Sequence, residues 1–487
     1  MSLTKTLMLQ YGDAPRNRNH MLEMIGTKNQ IKPKIRKQVP SVKRLSCSVD
    51  IGWHSLYLHI FQSDLAFSEI LVRGGGKSLA PRSGTVVLGG GAAGMMAAIR
   101  AAECGEQVIL LEANQQLGRK ILISGNGRCN LTNLEADAEV HYHGGNPQFR
   151  RRVLGQYTLR NTLDFFGGLG VVTREEKRGR LFPLSDQAQS IVDVLEDRLQ
   201  ILGVRIYKNV KVCGLTKGKF FNFHTRDGSR FVAERAIMAS GGVSLAKLGA
   251  DRSGLDLAIG LGHTSSGLYP GLVPLNSPEK YIYKMHGVKV RAQVRASLRK
   301  GRYIEDIDDL LFTKYGVSGF TILNLSAQLV PLLEKGPLEL EINLFPGRVP
   351  EQLSEMLKIR WQDNPHRSLA KSFSGLLSSK LIGPLLEKLE LPLDRPVAKI
   401  SKVQRWYLAR TLCSWLVGVD RPRSFEQAEV TIGGIDTGEI NPDTLESYLV
   451  PGLYFAGEMV DVHADLGGFN FQWAWSSGHL AGSRLGS

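Results

Sequence analysis

The stretch TVVLGGGAAG, residues 85–94, decides the fold of this chain. The β-branched apolar run at 85–88 predicts a buried parallel strand, and the Ala- and Met-rich segment from Ala93 to Cys104 predicts a helix. A second apolar run at 108–111 predicts the next strand. Strand, glycine turn, helix and strand together form a β-α-β unit of about 30 residues.

The glycines of this turn have the spacing G-x-G-x-x-G, at Gly89, Gly91 and Gly94. The first permits a tight turn, the second leaves room for a pyrophosphate, and the third lets the helix pack closely on the strand. Ala92 and Ala93 start the helix, where free N–H groups and a partial positive charge attract phosphates. The turn therefore predicts a dinucleotide site, and a glycine-rich turn without a ligand is the alternative.

Glu112 ends the second predicted strand, where a carboxylate accepts both hydroxyls of a ribose and disfavours a 2′-phosphate. The sequence contains only one such glycine fingerprint, whereas an enzyme with permanent sites for two dinucleotides in paired domains would need two. We therefore expect one resident dinucleotide. NAD(P)H would act as a transient electron donor, or oxygen or a substrate would exchange electrons with the cofactor directly.

A second glycine-rich loop, SGNGRCN at 124–130, follows Gly118-Arg119-Lys120 and alternates glycine with small polar and cationic residues. Such a loop suits a polyanionic cofactor and the polar edge of a flavin. A surface turn that uses glycine and asparagine for positive φ is the alternative.

Two further predicted strands end in turns that suit a cofactor. After one of these strands, Ser240 and Gly241 would let the backbone come close to a ligand. An ordinary turn at the end of a strand is the alternative. The other strand delivers the carboxylates of Glu458 and Asp461, which can bond the ribityl hydroxyls of a flavin. The glycines at 467–468 then open the last helix, whose N-terminus can stabilise negative charge on a reduced flavin.

The composition is that of a globular protein. The 487 residues are 43% hydrophobic and 22% charged, and the length suggests roughly two to four domains. The five cysteines include no C-x-x-C pair, which argues against a secreted disulfide framework and against a flavin disulfide reductase. No Cys/His cluster has the spacing of a metal site, so we expect no metal. His463 lies between two flavin-directed motifs and is a candidate proton donor, with a solvated loop histidine as the alternative.

Half of the formal net charge of +15 lies in residues 1–83, which carry 13 Lys or Arg and 5 Asp or Glu. The rest of the chain is mildly basic, which suits an anionic cofactor, so we expect no nucleic acid partner. No stretch of about 18 apolar residues is free of charge, so we expect no membrane span. We interpret residues 1–83 as a disordered N-terminal extension of a cytoplasmic protein. A targeting leader for a plastid or mitochondrion is the alternative.

The last part of the chain repeats the opening pattern of strand, glycines and helix. The simplest account is one α/β domain that is split in sequence into residues 84–267 and 429–487. Residues 268–428 would be inserted between the two parts as a second domain.

With these motifs in place, the chain resembles the HI0933-like family of FAD-dependent oxidoreductases over about residues 84–485. The most specific pieces are GRK at 118–120, SGNGRCNLTN at 124–133, and GLYFAGEMVDVHADLGGFNFQWAWSSG at 452–478. RLFP at 180–183 also fits the family pattern. Some members are described as aminoacetone oxidase-like, and one branch as reducing 3-dehydro bile acids. The resemblance implies FAD as the resident dinucleotide.

The resemblance also implies an α/β fold with a Rossmann-like FAD-binding domain of the glutathione reductase type. The insertion would be a β-barrel that carries a small helical subdomain at about residues 348–398. Val210 would lie on a strand, at the backbone position that meets adenine in related flavoproteins. The FAD contacts that carry over are Ala93, Glu112, Lys120, Ser124, Asn126, Gly127, Asn130, Gly457, Glu458, Gly468 and Asn470.

The chain departs from the family pattern on the substrate side. Where the family has His-x-Gly-x-Ser-Gly-Pro, this chain has KYGVSGF at 314–320. Lys314 cannot replace a histidine in proton transfer at neutral pH without a depressed pKa. The segments 245–246 and 252–254 also differ from the family, so the resemblance predicts the cofactor but not the substrate.

We therefore predict an FAD-dependent oxidoreductase that transfers a hydride between flavin N5 and a small organic substrate, with NAD(P)H or oxygen as the redox partner. Two alternatives stay open, an FAD-dependent tRNA-modifying protein and a non-catalytic flavin-binding protein. The sequence alone identifies neither the catalytic residues nor the oligomeric state.

Overall fold

The computed structural model of the protein describes residues 81–137, 139–298 and 301–483. Residues 1–80 of the predicted extension lie outside this range. The first strand begins at Arg82, two residues inside the segment that the sequence assigned to the extension. The α/β part of the chain therefore begins slightly earlier than the change in sequence pattern indicates.

The described residues form strands and helices that alternate in the first part of the chain. In chain order the strands are β1 (Arg82–Leu88), β2 (Val108–Leu111), β3 (Thr132–Asn133), β4 (Tyr142–His143), β5 (Thr173–Glu176), β6 (Arg180–Pro183), β7 (Arg205–Tyr207), β8 (Val212–Lys217), β9 (Phe221–Thr225), β10 (Arg230–Met238), β11 (Tyr269–Gly271), β12 (Leu275–Asn276), β13 (Lys289–Ser297), β14 (Tyr303–Phe312), β15 (Gly316–Ser318), β16 (Leu338–Asn343), β17 (Trp415–Val419), β18 (Arg421–Pro422), β19 (Val430–Ile432), β20 (Leu453–Phe455) and β21 (His463–Ala464). The α-helices are α1 (Ala92–Glu103), α2 (Arg119–Ile123), α3 (Pro147–Gln156), α4 (Leu159–Gly168), α5 (Ala188–Ile201), α6 (Ser253–Gly260), α7 (Lys280–Tyr283), α8 (Phe320–Leu333), α9 (Pro350–Gln362), α10 (Ser379–Lys388), α11 (Lys402–Cys413) and α12 (Phe469–Gly482).

The main sheet has seven strands in the order β7-β2-β1-β10-β9-β8, with β20 beside the second half of β10. The strands β7, β2, β1, β10 and β20 run parallel, as in a Rossmann-type domain. The strands β8 and β9 and the first half of β10 form an antiparallel meander, and the turn between β9 and β10 contains Asp227-Gly228, a pair that favours hairpin turns. Because parallel strands end at one edge of the sheet, the turns after β1, β2, β10 and β20 come together there.

Helix α1 lies against the sheet through contacts that leave no room for side chains. A methyl group on Gly94 would overlap the carbonyl oxygen of Gly89, and one on Gly478 would overlap that of Ala93. Gly478 belongs to α12, so the first and last helices of the main domain cross with their backbones close together. This close crossing packs β20 and α12 against β1 and α1.

A second hydrophobic core is built from residues between Val273 and Ala428, whereas the first core uses residues 86–258 and 435–481. We interpret the second core as the inserted domain. Its sheet has the order β17-β16-β13-β14-β15-β12-β18, and all neighbouring strands are antiparallel. The edge strands β17 and β18 are separated only by Asp420, so the two ends of the sheet lie close together. No described ladder joins them, and the closed barrel stays a prediction.

The helical segment predicted at about 348–398 contains α9 and α10. The structure extends this segment, because α11 continues it to Cys413 and packs against α9. Two small antiparallel sheets lie outside the main sheet: β3-β6-β5, in the N-terminal part of the chain, and β4-β21, which pairs the N-terminal part with the C-terminal part. Within the part of the chain that the structure describes, no helix is long and apolar enough to span a bilayer.

Replacing Gly478 by alanine should lower the free energy of unfolding by about 1–3 kcal/mol, because the new methyl group forces α12 away from α1. Chemical denaturation followed by circular dichroism measures this change. Gly155→Ala is the matched control, since Gly155 lies in α3 and an added methyl group would meet no atom within 4 Å. The control should be neutral or slightly stabilising, and equal stability of the two variants would contradict the close helix crossing.

Candidate active site

A cavity of about 880 Å³ opens at the carboxyl ends of the parallel strands β1, β2, β10 and β20. Folds of this class bind ligands at this edge of the sheet, and the volume lies at the upper end of the usual range for small-molecule sites. The turns after these strands form one side of the cavity. The other side comes from the 268–428 segment, with Leu272, Pro274, Tyr315, Phe320 and Leu323.

Most of the residues that the sequence predicted as cofactor contacts line this cavity. They are Gly89, Gly91, Ala92, Ala93, Glu112, Lys120, Ser124, Asn126, Asn130, Val210, Ser240, Gly241, Gly457, Glu458, Gly468 and Asn470. Gly94 and Gly127 are not part of the lining. Gly94 packs α1 onto the turn, and the N–H of Gly127 donates to the carbonyl oxygen of Ser124 at 3.0 Å. These two glycines therefore affect the cavity only through the residues that line it.

The glycine turn presents bare backbone to the cavity at Gly91. A methyl group on Gly91 would meet no protein atom within 4 Å, and its φ of −80° is accessible to any residue. Gly90, which the sequence did not single out, is held in place by contacts with the protein. Its N–H donates to Glu112 Oε2 at 2.7 Å, and a methyl group there would overlap Leu117. The turn thus leaves open space beside the N-terminus of α1, where an anion is stabilised.

The carboxylate of Glu112 is buried and already holds protein donors. The backbone N–H of Asn114 donates to Oε1 at 2.8 Å and its side-chain Nδ2 donates at 2.6 Å, in addition to the bond from Gly90. A carboxylate has about four lone-pair sites, so Glu112 keeps capacity for a ribose hydroxyl. Sequence reasoning missed Asn114, because an asparagine just after a strand is common to many turns.

Lys120 and Glu458 contact each other rather than facing the cavity as separate groups. Lys120 Nζ lies 2.6 Å from Glu458 Oε2, and the other carboxylate oxygen accepts the backbone N–H of Thr431 (2.6 Å) and the hydroxyl of Ser244 (3.0 Å). Burial alone would raise the pKa of Glu458, but the Lys120 ammonium and the Thr431 N–H reverse this effect and hold the pKa below its usual value. Glu458 is therefore charged, and it fixes the position of Lys120 at the cavity wall.

Three polar residues have no signal in the local sequence: Ser244 and Thr431, which are buried behind this wall, and Glu429. Ser244 and Thr431 bond each other as well as Glu458, because the backbone N–H of Ser244 donates to Thr431 Oγ1 at 3.1 Å. Glu429 lines the cavity, and its carboxylate forms no hydrogen bond with any described residue. Glu429 keeps an exposed surface, and the protein around its carboxylate partly removes it from bulk water, which raises its pKa.

Asn130 and the N-terminus of α12 form another part of the cavity lining, among the predicted cofactor contacts. Asn130 Oδ1 is buried and has no hydrogen-bond partner among the described residues. Gly468 precedes α12 with a φ of +104°, and a methyl group there would lie 3.0 Å from Asn130 Oδ1. The side chain of Asn470 bonds the backbone N–H and carbonyl of Ala464 at 2.9 and 2.8 Å. Asn470 therefore orders this loop and presents backbone, not its amide, to a ligand.

Two further predicted positions, Val210 and Ser240, offer mainly backbone to the cavity, and only Val210 differs from the prediction. Val210 does not lie on a strand, because it belongs to the connection between β7 and β8, where its N–H donates to the carbonyl oxygen of Glu112 at 2.8 Å. Ser240 lines the cavity with its hydroxyl turned toward the sulfur of Met459 at 2.9 Å. Both residues therefore offer mainly backbone to a ligand.

These features fit an FAD. The open space at Gly91 beside a helix N-terminus suits a pyrophosphate. The unpaired oxygen of Asn130, beside the start of α12, suits the polar edge of a flavin, whose ring N–H can donate to it. The cavity runs continuously from one of these features to the other.

His463 is neither a solvated loop residue nor part of the cavity lining. It lies on β21, is 5% exposed, and its Nδ1 has no partner among the described residues. Burial and the neighbouring His143 lower the pKa of His463 to about 3, so the ring is neutral. Asp461, predicted to reach the flavin, also lies outside the lining, and burial raises its pKa.

Lys314, at the family's histidine position, is exposed and does not line the cavity, whereas its neighbour Tyr315 does. A proton transfer by Lys314 is therefore not supported. Among the described residues, no group of three or more His, Cys, Asp or Glu side chains is arranged to hold a metal ion.

The family model described as HI0933-like protein Rossmann domain matches residues 83–484. The chain belongs to the HI0933-like family, and it is an FAD-dependent oxidoreductase. It is 38% identical to a 3-dehydro-bile acid delta(4,6)-reductase of Clostridium scindens over 81% of this chain and 97% of that protein. It is 33% identical to a ribosomal RNA dihydrouridine synthase of Escherichia coli over 81% of this chain and 96% of that protein.

Among solved structures, an open conformation of a flavocytochrome c3 fumarate reductase aligns with 90% of this chain and 81% of its own. The TM-score is 0.44 and the sequence identity 15%.

The HI0933-like chain should lose stability on acidification partly through His463. Between about pH 6.5 and 3 the unfolded histidine binds a proton that the folded one, with a pKa of about 3, does not, so stability falls as pH falls. At pH 5 this loss amounts to about 2 kcal/mol for this residue. Urea denaturation at pH 7 and pH 5 should therefore show a smaller loss for His463→Gln than for the wild type. Equal losses in the two proteins would contradict the burial of a neutral ring.

Proposed function

We propose that the protein reduces a carbon–carbon double bond that is conjugated to a carbonyl group. The observation that carries this proposal is the chemistry common to the names of the two relatives. A delta(4,6)-reductase of a 3-dehydro bile acid and a dihydrouridine synthase both add hydrogen to a double bond beside a carbonyl. The substrate is therefore assigned to the class of conjugated ketones and cyclic amides rather than to a single compound.

The cavity supports this class of substrate. Its wall from the 268–428 segment carries two aromatic rings, Tyr315 and Phe320, together with the aliphatic side chain of Leu323. The guanidinium of Arg423 lies 4.5 Å from the centroid of Tyr315, on the face of the ring, which holds that ring in place. A flat conjugated ring would bury its apolar faces between this wall and the cofactor side.

The residues already described would hold the cofactor. The turn at Gly91 would hold the pyrophosphate, Glu112 a ribose hydroxyl, and Asn130 with the start of α12 the polar edge of the flavin. FAD supplies the two-electron redox chemistry when bound. The net reaction adds two electrons and two protons across the double bond, and we propose reduced nicotinamide as the transient donor that is oxidised in exchange.

Uridine in RNA is a second candidate substrate, favoured by the name of the Escherichia coli relative. Its double bond is conjugated to a carbonyl in the same way, so both candidates require the same chemistry at the cavity. They differ in the size of the substrate and in charge, because RNA binding weakens steeply with salt whereas binding of a neutral ketone does not.

Gly91→Val should remove FAD without unfolding the protein, because an added Cβ there meets no protein atom within 4 Å and the side chain would extend into the open space at the turn. We expect the FAD content to fall at least about tenfold while the melting temperature of the FAD-free protein stays the same. Gly218→Val is the control, since an added methyl group there also meets no atom within 4 Å. If Gly91→Val kept its FAD, the pyrophosphate would not lie at this turn.

The reaction is tested with protein that is loaded with FAD and reduced anaerobically by NADPH. We expect reoxidation of the flavin absorbance by 2-cyclohexen-1-one, by a 3-oxo-4-ene steroid, or by a ribosomal RNA transcript. The product, identified by mass spectrometry, should have gained two hydrogen atoms. Reoxidation by oxygen alone, with no reduced product from any of the three, would overturn the proposal.

A further inference from the structure

Arg180 is a cation of the cavity wall that the cofactor contacts do not use. It lies on β6, and its guanidinium carbon is 5.3 Å from the ring centroid of Phe320 and 5.9 Å from that of Phe182. All three side chains line the cavity. Its Nε donates to the carbonyl oxygen of Lys177 at 3.0 Å, and the guanidinium forms no other hydrogen bond with a described residue. Most of its N–H donors are therefore free for a ligand.

The charges around Arg180 do not neutralise it. Three guanidinium groups share the carboxylates of Glu176 and Asp186, so the cluster keeps an excess of one positive charge. Arg128 is 2.6 Å from Glu176, and Arg174 is 3.0 Å from Glu176 and 2.7 Å from Asp186. Arg180 is 4.0 Å from Glu176, the longest of these contacts. Arg128 also lines the cavity, but it is closely paired with Glu176, so the least compensated guanidinium at the cavity is that of Arg180.

Within the function proposed above, we propose that Arg180 binds the carbonyl oxygen of the substrate, with the conjugated ring held against Phe320. The two aromatic rings limit where the guanidinium can move, and the guanidinium plane can donate two parallel hydrogen bonds to an oxygen atom or a carboxylate. The site therefore takes a planar, unsaturated compound that has an oxygen acceptor at its edge.

This contact has a consequence for the reaction. When the carbon farther from the carbonyl gains a hydride from the reduced cofactor, a C–H bond forms and the π electron pair of the double bond shifts toward the carbonyl oxygen. That oxygen becomes negatively charged, and a proton from solvent then adds to the carbon next to the carbonyl and restores the C=O bond. A permanently charged donor at the oxygen stabilises the charge that develops, so Arg180 would touch the reacting system directly.

The test compares Arg180→Met and Arg180→Lys with Arg174→Met in the FAD-loaded protein. Arg174 shares the same two carboxylates but does not line the cavity, so it is a matched control. Benzoate, a planar oxygen anion that cannot be reduced in this way, is titrated while the visible spectrum of the bound flavin is recorded. We expect its Kd to rise at least about tenfold in Arg180→Met, to recover in part in Arg180→Lys, and to stay unchanged in Arg174→Met.

The second readout is the reaction itself. We expect Arg180→Met to lose at least about tenfold in the rate at which 2-cyclohexen-1-one reoxidises the reduced flavin, with NADPH reducing the flavin at the wild-type rate. Equal benzoate affinities in Arg180→Met and the wild type, or no benzoate binding by the wild type, would overturn the assignment of Arg180. Wild-type protein that binds benzoate through Arg180 but reduces none of the conjugated carbonyl compounds would overturn the proposed reaction instead.

Discussion

The close approach of backbone around Ala93, where helix α1 begins, is the constraint on which the rest of the structure depends. Methyl groups on Gly94 and Gly478 would overlap the carbonyl oxygens of Gly89 and Ala93, and one on Gly457 would come within 2.7 Å of Ala93 Cβ. Side chains at these glycines would separate the first strand from its helix, and the last helix from both. Because they are absent, the two ends of the split domain meet, and the N-termini of α1 and α12 face one cavity.

A polar network then joins the same two parts of the chain through an ion pair and hydrogen bonds. Lys120, from the first part, and Glu458, from the last, are paired at 2.6 Å, and Thr431 and Ser244 satisfy the second carboxylate oxygen. Both charged groups are partly buried, so removing one partner would leave the other charge unpaired and poorly solvated, which is destabilising. The network therefore holds the cofactor side of the cavity in place, while the facing wall, with Phe320, comes from the 268–428 segment.

The sequence predicted the parts of the fold that are decided by interactions between residues close together in the chain. The apolar runs and the glycine spacing specify β1-α1-β2, because strand burial and turn geometry are decided within a few residues. It did not predict Asn114 or Thr431, whose roles depend on partners brought together by the whole fold. His463 was misinterpreted for the same reason, since its burial comes from pairing with β4, far away in the sequence.

We expect one FAD to reside in the cavity at the carboxyl ends of β1, β2, β10 and β20. The most direct measurement is the flavin content of native protein purified without added cofactor, with the released nucleotide identified by chromatography after denaturation. We expect a yellow protein that releases one non-covalently bound FAD per chain. A colourless protein that takes up no FAD on reconstitution, or one that releases a different nucleotide, would contradict it.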